Sequence, residues 1–220
     1  MFDAGSAKFS LKENVMYLKY GKRALDILIS CAGLLVMAIP MAILALIVKL
    51  DTKGPALFWQ RRVGIHKQIF MMPKFRTMYT ETHANIPTHL LPDPSLWITR
   101  SGKIMRKFSL DELPQLWSIF IGDMSIIGPR PALWNQEDLI AERDKYGAND
   151  VLPGLTGWAQ INGRDELEIP VKAKLDGEYV EKMSFLFDCK CFLGTITAVL
   201  SHKGVVEGGT GALNKERAEK

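Results

Sequence analysis

The chain has 220 residues, of which 47% are hydrophobic, and a formal net charge of +4 at neutral pH. This length suits one domain with an added membrane element rather than two full domains. Binding to nucleic acid could account for basic clusters, but it would leave a long uncharged apolar run unexplained. We therefore expect a protein that contacts membrane lipids and has no nucleic-acid partner, with its basic clusters beside anionic head groups.

The first half of the sequence contains that apolar run. Residues 1–20 are predicted to form an N-terminal arm, and residues 21–50 a membrane helix whose apolar part extends from Ile27 to Val48. A straight helix over this run would reach roughly 33 Å, about the thickness of the hydrocarbon core of a bilayer. The run could span the membrane, form a re-entrant hairpin or lie buried in a soluble core.

Two features favour the re-entrant hairpin. Pro40 lies inside the run, where its ring removes a hydrogen bond and clashes with a carbonyl group four residues earlier, so we predict a break there. Both flanks are also basic, whereas a spanning helix usually has its excess of Lys and Arg on the cytoplasmic side only. The basic residues are Lys8, Lys12, Lys19, Lys22 and Arg23 before the run, and Lys49, Lys53, Arg61 and Arg62 after it.

Residues 51–203 are predicted to form a small α+β domain that is mainly helical and has short β-hairpins, followed by a flexible tail at 204–220. The predicted elements in chain order are a hairpin of strands at 56–59 and 69–72, a loop at 80–99, a basic helix at 100–107, a helix from Ser109 that ends at Gly122, a helix at 134–146, a strand at Trp158–Ile161, and helices at 171–182 and 187–202. The last helix is amphipathic, and its apolar face suits either a membrane interface or the protein core.

The strongest candidate for chemistry is the adjacent pair Asp111 and Glu112. The segment from Ser109 to Glu112 matches the S-x-x-E capping box, so both acids could simply belong to the first turn of a helix. Cations nearby favour a second interpretation, in which a diphosphate and a divalent metal ion bind beside the pair. These cations are Arg106, about one turn before Asp111, and three residues in loops bounded by glycine or proline: Lys74, Arg130 and Arg164.

Five motifs in order resemble the bacterial monotopic phosphoglycosyl transferases, in their small form. The motifs are KRALDILIS before Pro40, Lys74–Met78, Ser109–Gln115, Gly122–Pro131 and Pro153–Arg164. The resemblance covers about residues 20–203. It implies a monotopic enzyme with a re-entrant membrane helix, a small cytoplasmic catalytic domain and interfacial amphipathic helices.

The resemblance also implies a reaction. Sugar 1-phosphate would pass from a UDP-sugar to polyprenyl (undecaprenyl) phosphate, releasing UMP, with Asp111 as the nucleophile that forms a covalent aspartyl-phosphosugar. The acidic pair would hold Mg²⁺, chiefly through Glu112. Lys74, Arg106, Arg130 and Arg164 would bind phosphate or nucleotide. Asp188 matches an acidic position with a supporting role, although it could equally be a helix N-cap.

The expected location is the cytoplasmic face of the bacterial inner membrane, where the reaction would begin the synthesis of a surface polysaccharide or glycoprotein glycan. The alternative is a non-enzymatic, membrane-anchored interaction protein, in which the acidic pair is only a helix cap. The sequence identifies neither the UDP-sugar nor the oligomeric state, and a homo-oligomer is compatible with it.

Overall fold

The computed structural model describes residues 15–80, 96–163 and 167–201. This part of the chain is mainly helical and contains two small two-stranded sheets, which confirms the α+β class. Three predicted segments lie wholly or mostly outside the described residues: the N-terminal arm, the loop at 80–99 and the tail at 204–220.

The first long element is helix α1, Lys22–Asp51, which follows a π-helical segment, Tyr17–Gly21. Within the described residues it belongs to the one helical stretch long and apolar enough to cross a membrane. Only 6% of its most apolar window is buried, so the interpretation as a core helix of a soluble protein is wrong. The helix continues through Pro40 instead of being interrupted there, since a proline can bend a helix without ending it.

Both ends of α1 are attached to the rest of the protein. Near its start, the Arg23 guanidinium donates hydrogen bonds to the carbonyl oxygens of Ile119 and Phe120, at 2.6 and 2.9 Å. At its end, the Asp51 carboxylate accepts hydrogen bonds from the backbone N–H and the hydroxyl group of Ser101, at 2.9 and 2.7 Å. The helix is therefore held at two separated points.

The middle of α1 is exposed, while the segments on either side pack against the domain. Before the middle, Gly33 lies against Leu116, so close that a Cβ atom there would meet the leucine side chain at 3.1 Å. After it, Val48 is buried in a cluster with Phe75 and Met105. The most exposed apolar side chains between these contacts are Leu35, Val36 and Ile39, which are 75%, 73% and 74% accessible.

The predicted hairpin is confirmed and is longer than expected. Strands β1 (Leu57–Val63) and β2 (Ile69–Phe75) pair in antiparallel register, with Phe58 opposite Lys74. The turn between them contains His66 and Lys67 in the left-handed region, which allows the chain to reverse tightly. Lys74 lies at the open end of this hairpin, close to where β1 begins after helix α1.

The basic helix is confirmed as α2, Arg100–Lys107, but the helix predicted from Ser109 is divided. Leu110–Glu112 forms a single 3₁₀ turn, and helix α3 is Gln115–Ile121. Pro114 accounts for the division, because it has no N–H to continue the hydrogen-bond ladder. As predicted, Gly122 ends the helix, with a φ of 103°.

The second sheet corrects two predictions. Strand β3 (Ser125–Ile127) pairs in parallel with β4 (Gly154–Thr156), so the described residues contain one hairpin rather than several. The predicted strand Trp158–Ile161 is instead a short helix, α5. Four residues are too few for hydrophobic periodicity to separate strand from helix. No side chain would fit at Gly154, because its backbone lies very close to that of Gly128. The strand that pairs with β3 is therefore Gly154–Thr156 and not the predicted Trp158–Ile161.

Three further helices complete the domain: α4 (Glu137–Asp144), α6 (Ile169–Lys182) and α7 (Phe185–Ser201). A buried ion pair between Arg143 and Asp176, at 2.5 Å, joins α4 to α6. The main hydrophobic core lies between β2, α3, β3 and the last two helices. Its most deeply buried members are Met72, Ile119, Met124, Tyr179 and Cys191. This core fixes the end of β2, which carries Lys74, and the end of β3, which Arg130 follows.

Candidate active site

The acidic pair lies on the 3₁₀ turn between α2 and α3. Ser109, which precedes the turn, has a left-handed backbone (φ 55°, ψ 25°), and its side chain makes no capping hydrogen bond. The capping-box interpretation of the pair is therefore wrong. A positive φ is strained for a residue other than glycine, and such strain concentrates at functional sites. The turn thus has the geometry of a positioned site rather than of an ordinary helix start.

Three of the four predicted cations surround the acidic pair. Lys74 comes from β2, Arg106 from the last turn of α2, and Arg130 from the loop after β3. Arg130 forms a two-point ion pair with Glu112: Nη1 donates to Oε2 at 3.3 Å and Nη2 donates to Oε1. The fourth predicted cation, Arg164, lies outside the described residues.

The electrostatic environment separates the two acids. Burial, and next the charge of Glu112, raise the pKa of Asp111, whereas the charges of Lys74, Arg106 and Arg130 act in the opposite direction. Among the described residues, no group donates a hydrogen bond to the Asp111 carboxylate. Glu112 is thus held by an arginine, while Asp111 is half-buried beside the cations without such a partner.

Lys74 is equally unusual. Its side chain is half-buried, and desolvation of its ammonium end lowers its pKa to about 7. The charges of Arg62 and Arg130 lower this pKa further, and Glu112 and Asp111 raise it. A phosphate group beside Lys74 would raise this pKa again, because a nearby negative charge stabilises the ammonium form.

Sequence reasoning noted the block from Lys74 to Met78 but missed the roles of its next two polar residues. Thr77 accepts a hydrogen bond from Arg106 Nε at 2.9 Å and so positions that cation. Arg76 binds the end of α1: it donates to the carbonyl oxygen of Pro55 (2.7 Å) and to the hydroxyl and carbonyl oxygens of Thr52 (2.7 and 3.0 Å). Their adjacency to Lys74 was the only signal available.

Asp188 lies in a separate buried network. Its carboxylate accepts hydrogen bonds from Lys22 (2.7 Å), Tyr17 (2.5 Å) and Tyr179 (2.8 Å). The N-cap interpretation is wrong, because Ser184 accepts the capping hydrogen bond of α7. Asp188 therefore joins the start of α1 to α6 and α7, and the three residues that bind it are different from the cations around Asp111.

The fit of a metal ion can be judged from the donor set. The described residues contain no group of three or more His, Cys, Asp or Glu side chains arranged to hold a metal. Mg²⁺ typically uses one or two protein carboxylates and completes its shell with water and substrate phosphates. Asp111 and Glu112 fit that mode of binding, although Glu112 would share its charge with Arg130.

A long, exposed apolar helix in the same domain as two carboxylates surrounded by cations is typical of a membrane-anchored enzyme that acts on phosphate groups. Comparison with known proteins agrees with this class. Residues 17–202 match the family model of the bacterial sugar transferases. The chain belongs to the bacterial sugar transferase family.

Three relatives show the range of the family. The chain is 41% identical over 159 residues to the uncharacterized sugar transferase EpsL of Bacillus subtilis, which covers 72% of this chain and 77% of that protein. It is 39% identical over 185 residues to the undecaprenyl-phosphate glucose phosphotransferase of Komagataeibacter xylinus, covering 80% of this chain and 35% of that protein. It is 37% identical over 183 residues to the UDP-glucose:undecaprenyl-phosphate glucose-1-phosphate transferase of Escherichia coli, covering 80% and 39%.

The chain thus spans little more than a third of the last two proteins and most of the first. The names of these relatives are those of transferases, and two of them name transfer of a sugar phosphate. The protein is therefore a membrane-anchored sugar-phosphate transferase, and the alternative of a non-enzymatic interaction protein is set aside.

Proposed function

We propose that this enzyme transfers a sugar 1-phosphate from a UDP-sugar to undecaprenyl phosphate and releases UMP, as the first membrane step in the synthesis of a surface polysaccharide or glycoprotein glycan. The observation that carries the proposal is the half-buried Asp111 carboxylate, without a hydrogen-bond donor among the described residues and surrounded by the charges of Lys74, Arg106 and Arg130. Two relatives named above supply the class of donor and acceptor.

In the first step, an Asp111 oxygen attacks the β-phosphorus of the UDP-sugar. A new P–O bond forms as the bond from that phosphorus to the bridging oxygen breaks, and the electron pair leaves on UMP. In the second step, an oxygen of undecaprenyl phosphate attacks the same phosphorus and displaces the Asp111 carboxylate, giving undecaprenyl-diphospho-sugar. The three cations stabilise the negative charge that shifts onto the phosphate oxygens in both steps.

A magnesium ion fits beside this pair. Glu112, together with Asp111, would hold it, and a bound Mg²⁺ would neutralise charge on the diphosphate. Arg130 keeps Glu112 in place before substrate arrives. Arg164 completes the proposed set of phosphate- or nucleotide-binding cations.

The contacts of α1 support a re-entrant hairpin. A straight helix of 30 residues would be about 45 Å long. Yet its start binds α3, its end binds α2, and Gly33 contacts Leu116 between them. Attachment of both ends to one domain favours a bend near Pro40, with the exposed middle entering one leaflet. The basic flanks then stay on the cytoplasmic face of the inner membrane.

Replacing Pro40 by Leu restores a hydrogen-bonded, straight helix and should shift some molecules to a spanning topology. We expect a cysteine introduced near residue 10 to react with a membrane-impermeant reagent in intact cells only in the Pro40→Leu background. Ile39→Leu is the matched control and should leave that cysteine protected. Protection in both variants would show that Pro40 does not determine the topology.

Helix α7 supports an interfacial position of the domain. The apolar side chains that it exposes are Phe185, Leu186, Phe192, Leu193 and Ile196, whereas Asp188 and Cys191 are buried. An exposed apolar face of this kind suits the boundary between head groups and acyl chains. The site would then stand where an aqueous UDP-sugar and a lipid-borne phosphate can meet.

The shifted pKa values predict a bell-shaped pH profile of kcat/KM. Lys74 binds phosphate as an ammonium group, so activity should fall above its pKa of about 7. Asp111 attacks as a carboxylate, so activity should also fall as the pH drops through its raised pKa. Lys74→Arg keeps its charge at every pH and should remove the alkaline decline while the acid decline remains. A profile of Lys74→Arg identical to wild type would contradict this assignment.

The proposed reaction is tested most directly in the absence of acceptor. The first step alone should release one UMP per active site from the correct UDP-sugar, chosen from a panel. Mass spectrometry should then find a phosphosugar attached to the peptide that contains Asp111, and added undecaprenyl phosphate should remove it. UMP release that requires the acceptor in every case, with no adduct, would overturn the covalent route.

A further inference from the structure

The inner face of the β1–β2 hairpin carries a further arginine, Arg62, beside the site that already contains Arg106 and Arg130. Side chains alternate between the two faces of a strand, and residues opposite one another share a face. Phe58 lies opposite Lys74 and Arg62 opposite Phe70, so Arg62 and Lys74 project from the same face. The charge of Arg62 is close enough to lower the pKa of Lys74. Arg62 thus belongs to the surroundings of the active site.

The Arg62 guanidinium is fixed by protein groups on two sides. Its Nε and Nη2 atoms donate to Gln60 Oε1, at 3.1 and 2.7 Å. Its Nη1 atom donates to the carbonyl oxygen of Pro131 at 2.8 Å. Pro131 directly follows Arg130, the residue that holds Glu112. A continuous chain of contacts therefore runs from Gln60 through Arg62 to the loop that carries Arg130.

We propose that Arg62, held by Gln60, is a positioning residue for the transfer reaction: it fixes the loop of Arg130 through the Pro131 carbonyl oxygen and so aligns Arg130 with the acidic pair. The inference rests on the proposed function. Three hydrogen bonds join the guanidinium to Gln60 and Pro131, and the bond to Pro131 leads to the loop of Arg130, so we assign Arg62 a role that acts through Arg130.

The neighbouring arginine offers a matched control. Arg61 lies on the opposite face of β1, is exposed, and stacks over the Trp134 ring at 4.7 Å. Arg62→Met should lower kcat/KM for UMP release about 10- to 100-fold, since a small misplacement of a catalytic group can cost this much. Arg61→Met should leave the rate within about twofold of wild type. Equal rates for the two variants would overturn the proposal.

A double-mutant cycle tests whether Arg62 acts through Arg130. If it does, Arg62→Met added to Arg130→Met should cause little further loss, because residues that act as a unit are not additive. Multiplicative losses would show that Arg62 acts independently and would overturn the proposal. Wild-type enzyme without UMP release would instead refute the proposed function, which keeps the two failures distinct.

Two further measurements guard against a purely structural effect. Arg62→Lys keeps the charge but cannot reproduce the fork to Gln60 and Pro131, so its loss should fall between wild type and Arg62→Met. Thermal unfolding of both variants should show that they remain folded under the conditions of the assay. A loss of activity that Arg62→Lys does not partly restore, in variants with reduced thermal stability, would mean that Arg62 serves folding only.

Discussion

Asp111→Asn should lower kcat/KM for UMP release by about 10⁴-fold or more, as expected when a nucleophile is removed. The same change should leave the protein folded and raise its thermal stability near neutral pH. The folded protein raises the pKa of Asp111, so its carboxylate destabilises the fold increasingly as pH rises above the pKa of the unfolded chain. A neutral amide removes that penalty and the repulsion from Glu112. Loss of activity with gained stability is typical of an active-site residue.

Asp123→Asn is the control for this variant. Asp123 is a carboxylate just after α3 whose pKa is also raised by burial, but its pKa is not shifted by the cation cluster. Its replacement should leave kcat/KM within about threefold of wild type, as for most changes away from a site. Steady-state UMP release and thermal unfolding in detergent measure both quantities. Asp111→Asn with substantial activity would exclude Asp111 as the nucleophile.

Asp188→Asn should destabilise the protein by about 3–5 kcal/mol, because the nearly buried Lys22 would lose the carboxylate with which it forms its ion pair. Lys22 and Asp188 have side chains that are 14% and 8% exposed. Tyr17 and Tyr179 donate to different oxygens of Asp188, so one of them also loses its acceptor, because the amide nitrogen of Asn cannot accept a hydrogen bond. A loss of this size corresponds to a fall in Tm of roughly 6–20 °C for a protein of this length.

Tyr17→Phe gives the comparison for that loss. It removes one hydrogen bond and keeps the ion pair, so it should cost only about 1 kcal/mol. Adding Lys22→Met to Asp188→Asn should recover part of the stability, because it removes the unpaired charge. Thermal unfolding of the four proteins in one detergent decides the matter. If Asp188→Asn loses no more stability than Tyr17→Phe, the ion pair between Lys22 and Asp188 contributes little to the free energy of unfolding.

The elements that the sequence predicted correctly have strong local signals. The hairpin, the basic helix and the stop at Gly122 all follow from turn residues, charge spacing or backbone freedom. The acidic pair and its cations were singled out by residue type and by their positions in loops, and the resemblance of five motifs to a known family supplied their roles. The local interpretation alone favoured a helix cap, and the structure places Ser109 in a conformation that prevents it.

The misses depend on contacts between distant segments. Trp158–Ile161 could be strand or helix by its own pattern, and only the pairing of β4 with β3 decides. Likewise, nothing local indicates that Asp188 binds Lys22 or that Thr77 binds Arg106. Arg62 was counted among the basic residues flanking the apolar run. Strand alternation alone would have placed it beside Lys74, but only a known register shows which face is the inner one.

The attachment of Arg76 to Thr52 and Pro55 sets a boundary for protein engineering. A chimera that takes its anchor from another family member, joined after Pro55, would replace Thr52, whose hydroxyl group accepts a hydrogen bond from Arg76. The strand that presents Lys74 would then lose part of its attachment to the segment that follows the helix. A junction at Asp51 keeps Thr52 and Pro55 together with Arg76, so the exchangeable module ends with helix α1.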